Sequence, residues 1–475
     1  MSLIHLGGRA WRRAMVAVSL LAVTACAADT APTAPTAPTA GEPRGKGVLR
    51  IVTGTDLTSK GVRRHLIEEA ATDLGIEVSV VELPDDTDRQ RSQLVAALQA
   101  GNQDDYDIIN LDVTWTAELA AQGHVMPLEG NLLRSLDVRE DLDVWAPVRD
   151  TIGYDGKAWA VPWNTDVGLL YYRADLLGRS PALQTWETLT RTVHGYDRDT
   201  RPSGSTLVTG LATQLSPYEG LTVNTHEAVW RNDGQVVDSH GAVRVSGQAA
   251  ERGMRQLVEA FRKDGTQLPV LDKKSLETDE TGTTERFLAG EALTMRNWPV
   301  ARFRLSEHLA KSDGDDDDTP SYGITALPAG EGRARTGPSV LGGQNLAIVA
   351  GTPDVEAARD LIERLTSPTA AARLHEGGFV PARTSAVPGG CLSNERSLPR
   401  EVPQGTLEEQ YIEALCWSME HARPRPSTPY YASVTRSVQD VMTSRLDAAP
   451  EPPSEEDEAS AEDLHRRLED SLRGR

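Results

Sequence analysis

The chain has 475 residues, a formal net charge of −21 at pH 7, 39% hydrophobic residues and 25% charged residues. This length and composition are typical of a globular protein with two or three domains, or one large two-lobed body, and they exclude a disordered chain or a multi-span membrane protein. The negative charge argues against nucleic acid as a partner, because phosphate binding needs clustered Lys and Arg. Three cysteines without a CxxC motif argue against a zinc ribbon or a disulfide-stapled miniprotein.

The N-terminal residues have the pattern of a secretory signal. Arg9, Arg12 and Arg13 precede an apolar run over residues 14–25. The run has about twelve residues, which fits a signal-peptide core, whereas a membrane span needs roughly 20. It ends in Val-Thr-Ala-Cys at 23–26, which resembles a bacterial lipobox. We therefore predict a signal peptide over 1–25 and lipid on Cys26; an ordinary signal peptide with a chance cysteine is the alternative.

A proline-rich segment follows the lipobox. Ala-Pro-Thr repeats continue to residue 40, and this proline spacing predicts an extended, semi-rigid tether over 26–47. The predicted location is therefore outside the cytoplasm, with the protein anchored to the cell membrane by lipid. Cys391 and Cys416 are then left for one disulfide in an oxidising compartment, or for two free thiols.

The body begins with alternating strand and helix patterns. Strands are predicted at 48–52, 76–81 and 107–111, and helices at 62–74 and 91–100. The order β-α-β-α-β implies a parallel sheet with helices on both faces. Ligands bind beyond the carboxyl ends of such strands, where Asp112 and Trp115 follow the third strand.

The middle and late parts of the chain repeat this pattern. Further strands are predicted at 168–172 and 345–349, and further helices at 185–193, 248–263 and 355–366. The acidic run at 313–318 is interpreted as a solvated loop, because it lacks the spaced ligand register of a calcium site. Residues 449–475 are predicted to be an acidic tail.

Several segments together resemble the extracellular solute-binding proteins of ABC sugar importers, in the maltose/trehalose-binding branch. These segments are Asp107 to Trp115, Tyr154 to Asp166, Phe287 to Trp298, Gly342 to Ile348, Gly378 to Arg383 and Arg425 to Tyr430. The resemblance covers roughly residues 48–445 and rests on the shared order and spacing of the segments. One position departs from it, because Gln344 stands where relatives often have Trp, and a stacking surface would be lost there.

The resemblance implies a periplasmic-binding-protein fold. This fold has two α/β lobes, each a mostly parallel sheet flanked by helices, joined by a hinge that the chain crosses three times. The crossings are expected near residues 160, 295 and 340. The N-lobe would then comprise 48–160 plus 296–340, and the C-lobe 161–295 plus 341–448. The lobes would close on a ligand by hinge motion.

A sugar presents two kinds of surface to a protein. Its hydroxyl groups bind carboxylates, amides and guanidinium groups, and its C–H face packs on aromatic rings. Acids and aromatics after strands are therefore candidate contacts, although helix caps, core packing and salt bridges explain the same residue types. The predicted ligand-binding residues are Asp112, Trp115, Asn164, Asp166, Tyr218, Glu227, Trp230, Asn297, Trp298, Gly342, Gly343, Arg383 and Tyr430.

The predicted function is capture of a di- or oligosaccharide outside the membrane and its delivery to an ABC permease. The protein is expected to be a monomer, to need no cofactor or metal, and not to be an enzyme. A secreted glycoside hydrolase using Asp112, Asp166 or Glu227 as paired carboxylates is one alternative. A structural cell-envelope protein and a binder of a non-sugar solute are the others. The sequence does not name the sugar.

Overall fold

The computed structural model describes residues 47–475, with gaps at 57, 59–60, 85, 101–104, 137–140, 142, 179–180, 197–203, 239, 264, 312–320, 333–336, 392–404 and 450–454. The predicted signal peptide, Cys26, nearly all of the tether, and the acidic run at 313–318 lie outside the described residues.

The described chain alternates between strands and helices along its length. The strands, numbered β1 to β12 in chain order, are Val48–Gly54, Glu77–Leu83, Ile108–Asp112, Gly153–Tyr154, Lys157–Ala158, Val161–Val167, Leu169–Arg173, Thr209–Ala212, Ala292–Asn297, Tyr322–Ala326, Leu341–Ile348 and Val380–Pro381. The helices, numbered α1 to α16, are Val62–Leu74, Thr87–Gln99, Thr116–Ala121, Gly130–Leu136, Ala146–Arg149, Ala174–Leu177, Trp186–His194, Glu219–Arg231, Gln248–Glu259, Glu280–Leu288, Val300–Lys311, Val355–Leu365, Pro368–Glu376, Leu407–Glu420, Tyr431–Asp447 and Glu455–Leu472.

The first third of the body has the predicted β-α-β-α-β order. β1 pairs in parallel with both β2 and β3. Helix α1 ends at Gly75, whose φ of 67° is left-handed and suits glycine. Helix α2 begins after Asp86, whose carboxylate accepts the N–H of Arg89 at 2.7 Å as an N-cap. This cap places the start of α2 four residues before the predicted start at 91.

Both sheets are mixed, which corrects the prediction of mostly parallel sheets. The first sheet has the order β12-β6-β11-β3-β1-β2, and β11 runs antiparallel to β3 and β6. The second sheet has the order β10-β7-β9-β8, in which β7 runs antiparallel to β9 and β10. The physical reason is that β6 and β11 are joined by a long excursion through the second sheet, from β7 to β10, and not by a single βαβ crossover, so the connection does not require them to run parallel.

The strand pairing also corrects the predicted lobe boundaries. β10, at Tyr322–Ala326, pairs with β7 in the second sheet, so this part of 296–340 does not belong to the first lobe. β11, at Leu341–Ile348, pairs with β3 and β6, so it belongs to the first lobe. The chain leaves the first sheet at Gly168, between β6 and β7. It does not cross between the lobes near residue 295, because β9 and β10 lie in the same sheet.

Two further passages connect the lobes. The chain returns to the first sheet between β10 and β11, near the predicted crossing at 340. It leaves again before α15, which packs into the apolar core of the second sheet; α14 packs against β10 of the second sheet and also contacts β6 of the first. Cys391 and Cys416 form a disulfide with their Cα atoms 5.4 Å apart, which ties the segment before residue 392 to α14.

The C-terminal residues, predicted as an acidic tail over 449–475, include a helix that folds against the second lobe. Helix α16 packs along α15. Its buried Ala461, Leu464 and Leu468 recur at helical spacing and lie in the apolar core of the second lobe. Within the described ranges, no helix has both the length and the apolar character needed to cross a membrane.

Candidate ligand-binding cleft

A cleft with an empty volume of about 1040 Å³, counting its open mouth, lies between the two lobes. Such a volume is large enough for a small-molecule site. The lining residues are Gly54, Thr55, Arg63, Thr87, Gln90, Asp112, Asp166, Tyr218, Glu219, Gly220, Val223, Glu280, Trp298, Val300, Gly342, Gly343, Gln344, Phe379 and Arg425. They come from both sheets and from the first turns of α2 and α8, so the site is incomplete in either lobe alone.

The floor of the cleft is set by the register of β11. Gln344 pairs with Asp112 of β3 and with Asn164 of β6, while Gly342 pairs with Asp166. These pairings bring residues between 176 and 232 positions apart to one end of the first sheet. Asn164 donates its side-chain N–H to the Oε1 of Gln344 at 2.6 Å, which holds the Gln344 amide in place.

Two glycines in β11 have different roles. Gly343 has a φ of 114°, and a Cβ there would lie 2.4 Å from the Cα of Thr165, so only glycine fits. A Cβ at Gly342 would instead lie 3.3 Å from the Cβ of Asp166 and 3.5 Å from the indole ring of Trp298. The missing side chain of Gly342 therefore keeps a gap open between a carboxylate and an aromatic ring.

The Trp298 ring is held by three neighbours. Its backbone N–H donates to the Oδ1 of Asn297 at 2.8 Å, and its indole N–H donates to the Oε1 of Glu280 at 3.1 Å. The guanidinium carbon of Arg296 lies 4.0 Å from the ring centre and covers one face. The ring is therefore fixed in orientation while it lines the cleft.

Glu280 also fixes Tyr218. The Tyr218 hydroxyl donates to the Oε2 of Glu280 at 2.7 Å, so each carboxylate oxygen of Glu280 accepts one aromatic donor. Burial raises the pKa of Tyr218 well above 10, and the charge of Glu280 raises it further. Tyr218 therefore stays a neutral donor at physiological pH.

Asp166 is half-buried at the floor and, within the described part of the chain, its carboxylate has no hydrogen bond or ion pair. Burial raises the pKa of Asp166 to about 7; the charge of Arg63 opposes this shift and the charge of Asp112 adds to it. The Oδ1 of Asp112 accepts the N–H and the hydroxyl of Thr114, at 2.9 and 2.7 Å. Its Oδ2 accepts nothing from the described residues, so the floor offers acceptors to a ligand.

A buried polar cluster joins the lobes at one side of the cleft. Arg425 donates to Glu219, and its Nη2 lies 3.6 Å from the Oδ1 of Asp112. Glu219 also accepts the hydroxyls of Tyr431, at 2.5 Å, and Thr435, at 2.7 Å. Arg425 thus contacts β3 of the first lobe and α8 of the second.

Arg63 supplies a second buried cation. Its Nη2 donates to the carbonyl oxygens of Gly54, at 3.0 Å, and Thr55, at 2.8 Å. Burial lowers the pKa of Arg63, although the charges of Asp56 and Asp166 partly offset this. This guanidinium therefore secures the loop after β1 and also lines the cleft.

The structure brings together six of the thirteen predicted contacts. The six that line the cleft are Asp112, Asp166, Tyr218, Trp298, Gly342 and Gly343. The other seven predicted residues do not belong to the described lining of the cleft.

Three of these seven lie directly behind the cleft. Trp115 is buried in the apolar core of the first lobe. Asn164 is buried and holds Gln344, as described above. Asn297 is buried and donates to the hydroxyls of Thr283 and Thr284, at 2.9 and 3.1 Å. The side-chain amides of Asn164 and Asn297 therefore bond to other side chains of the protein.

The remaining four lie farther away. Glu227 forms a buried ion pair with Arg296, with N–O distances of 2.7 and 3.1 Å. Trp230 lies in the apolar core of the second lobe. Arg383 donates to Asp141 and Asp143, at 3.0 and 3.2 Å, and Tyr430 is 44% exposed beside α15. The pairing of Glu227 also removes it from the carboxylates that a hydrolase could use in the cleft.

Sequence reasoning missed several residues that line the cleft. Glu219 directly follows the predicted Tyr218, and Arg425 lies in a segment that was recognised for its resemblance, so both had a local signal. No local sequence signal pointed to Arg63 or Glu280, because their roles depend on packing between elements that are distant in the chain. Among the described residues, no three His, Cys, Asp or Glu side chains form a group that could hold a metal ion.

Comparisons with known proteins agree with this architecture. A model of the family described as bacterial extracellular solute-binding protein matches residues 65–397. A probable ABC transporter-binding protein of Deinococcus radiodurans is 29% identical over 296 residues, covering 62% of this chain. That match spans 65% of the relative's length.

Solved structures show the same fold. The maltose-bound MalE3 of T. maritima is 25% identical with a TM-score of 0.70, covering 89% of this chain and 99% of its own. The GacH receptor of Streptomyces glaucescens GLA.O, solved unliganded and with acarbose, is 18% identical with a TM-score of 0.71, covering 90% of this chain and 99% of its own. The predicted two-lobed α/β architecture is thereby confirmed.

Proposed function

Because the chain belongs to the bacterial extracellular solute-binding protein family, we propose that it captures a small carbohydrate in its interlobe cleft and delivers it to an ABC importer. The family is extracytoplasmic and consists of binding proteins, not enzymes. The described Deinococcus relative, a probable ABC transporter-binding protein, supports the importer as the partner.

The observation that carries the carbohydrate proposal is the gap above Gly342. Trp298 bounds this gap on one side and Asp166 on the other. A sugar ring needs this combination, because its C–H face packs on an aromatic ring while its hydroxyls donate to carboxylates. The maltose-bound structural relative supports the same ligand class.

The position of the cleft supports capture by closure. Asp112 and Asp166 belong to the first sheet, whereas Tyr218, Glu280 and Trp298 belong to the second lobe. A ligand that contacts both groups stabilises the closed form over the open form, and only this difference in affinity can drive closure. The hinge would bend at Gly168 and at the two later passages between the lobes.

We also propose that lipid on Cys26 holds the mature protein at the membrane, after removal of residues 1–25. Several acyl chains, at about 0.8 kcal/mol per buried CH₂, give stable anchoring. Cys26→Ser should release the protein from the membrane fraction of the producing cell into the soluble fraction. Retention of this variant in the membrane fraction would contradict the lipid anchor.

Calorimetric titration of residues 48–475 tests the function. The soluble chain would be titrated with mono-, di- and oligosaccharides, and each mixture would be analysed afterwards for cleavage products. We expect at least one sugar to bind and to be recovered intact. Cleavage products would indicate glycoside hydrolysis, and a panel without any binding would refute carbohydrate capture.

A further inference from the structure

The cleft carries more negative than positive charge among its described lining residues. Four carboxylates line it, on Asp112, Asp166, Glu219 and Glu280, against the two guanidinium groups of Arg63 and Arg425. The two arginines balance at most two of the four carboxylates. Arg425 is bonded to Glu219, and Arg63, which donates to the neutral carbonyls of residues 54 and 55, keeps its charge and acts on Asp166, so two carboxylates remain in excess.

The other nearby cation is also engaged. Arg296 stacks on Trp298 but forms its buried ion pair with Glu227, so its charge is balanced away from the cleft. Within the described residues, the side-chain carboxylate of Glu280 accepts hydrogen bonds only from the neutral donors of Trp298 and Tyr218. These bonds satisfy the Glu280 oxygens but leave its negative charge in place.

Acids continue beyond the main cleft. A smaller adjoining pocket is lined by Asp86 from the first lobe and by Glu277, Asp279 and Glu280 from the second, with no Lys or Arg among its described lining residues. Negative groups from the two lobes therefore line this adjoining pocket, which shares Tyr218 and Glu280 with the main cleft. An anionic solute would be repelled at this pocket and at the floor of the cleft.

Asp166 supplies a specific acceptor for a ligand. Its carboxylate has no donor among the described residues, and it lies across the Gly342 gap from the Trp298 ring. A hydroxyl group can donate to Asp166 but leaves the surplus charge of the cleft uncompensated. An ammonium group donates and also neutralises this charge.

We propose that the solute is an amine-bearing sugar, bound with its ring against Trp298 and its ammonium group against Asp166. This inference rests on the proposed function, since it specifies the class of carbohydrate that the same cleft takes. The ammonium group makes this sugar bind more tightly than the matched neutral sugar. Binding forms and breaks no covalent bond of the solute.

The inference predicts the direction of proton exchange on binding. A cation beside Asp166 lowers the pKa of this carboxyl from its value of about 7, so binding at pH 6.5 releases a proton. A neutral sugar acts on this pKa in two opposing ways, because displacing water raises it and a hydroxyl donating to the carboxylate lowers it, so its proton release is smaller than that of the amine or is reversed. Calorimetric titration in two buffers with different ionisation enthalpies measures whether binding releases protons or takes them up.

The test uses sugars that share ring and linkage but differ at one substituent. Glucose, glucosamine and N-acetylglucosamine form one set, and cellobiose with the amino and acetamido forms of the same β-1,4 disaccharide forms another. We expect the amine to bind at least about tenfold more tightly than its hydroxyl and acetamido counterparts, with proton release. Asp166→Asn should remove this preference, whereas Glu77→Gln, which removes an exposed charge outside the cleft lining, should not.

The outcomes separate the two proposals. The amine inference would be overturned if neutral sugars bound as tightly as their amine counterparts, or if the amine sugar bound with proton uptake. Either result would leave carbohydrate capture standing. An Asp166→Asn variant that keeps the full amine preference would also overturn it. Failure of every carbohydrate in both sets and in the wider panel would refute the proposed function itself.

Discussion

Replacing Trp298 with alanine tests whether its ring is the stacking surface of the cleft. One face of the ring is covered by Arg296, and the ring lines the cleft. Burying about 100 Å² of indole face at ~25 cal/mol per Å² corresponds to about 2.5 kcal/mol. We therefore expect Trp298→Ala to weaken sugar binding roughly 60-fold, since about 1.4 kcal/mol is tenfold.

The assay is calorimetric titration with the sugar that binds the wild-type protein most tightly. Trp298→Phe keeps a flat ring but loses the N–H donor to Glu280, so its loss of affinity should be intermediate. Trp159→Ala serves as the matched control, because Trp159 is half-buried beside the β4–β5 hairpin, where its indole N–H donates to the Tyr154 carbonyl at 2.9 Å. A change in Kd of less than about threefold in folded Trp298→Ala would refute the stacking role.

Three further changes address the floor and the disulfide. Gly343→Ala should lower the free energy of unfolding in urea by about 3 kcal/mol or more, because residue 343 has a φ of 114° and lies against β6. Gly342→Ala should stay folded but bind sugar more weakly in calorimetry. Because the pKa of Asp166 is raised from 3.8 to about 7, the folded state binds more protons than the unfolded state in this range, so stability falls as pH rises from 4 to 7. Asp166→Asn should flatten this fall, as measured by urea unfolding at pH 5 and pH 8. Replacing Cys391 and Cys416 together with serine should lower the free energy of unfolding by about 3 kcal/mol, from the 25-residue separation.

Specific results would contradict these expectations. Equal stability of the two glycine variants would refute the different roles assigned to Gly342 and Gly343. If Asp166→Asn left the pH dependence of stability unchanged, the raised pKa of Asp166 would be refuted. Some dependence should remain in both proteins, because the pKa of Asp88 is raised to about 6 and also makes stability fall as pH rises. Unchanged unfolding of the double serine variant, relative to the oxidised wild type, would show that the disulfide adds no stability.

Local sequence pattern was sufficient for the individual elements of the first lobe. The helix at 62–74 has the predicted bounds, because its apolar spacing is clear and Gly75 ends it. The pairing of distant strands could not be obtained in this way. Whether β10 joins the first or the second sheet depends on its partner β7, about 150 residues earlier in the chain, and single-strand patterns do not specify partners.

The lack of information on distant partners also explains why only some of the predicted residues line the cleft. Asp112 was recognised because it ends a buried strand, and Trp298 because it lies in a segment with family resemblance. Glu227 and Arg383 have the residue types of ligand contacts, but each is paired with an oppositely charged residue from another element. Glu280 had no signal, since its function is to hold two aromatic rings that the fold brings to it.

The most direct measurement is a crystal structure of residues 48–475 with the sugar selected by calorimetry. The account predicts an intact sugar ring between the lobes, stacked on Trp298 above Gly342, with a polar group of the sugar within hydrogen-bond distance of Asp166. A sugar bound outside this cleft, or in it without contact to either Trp298 or Asp166, would contradict the account.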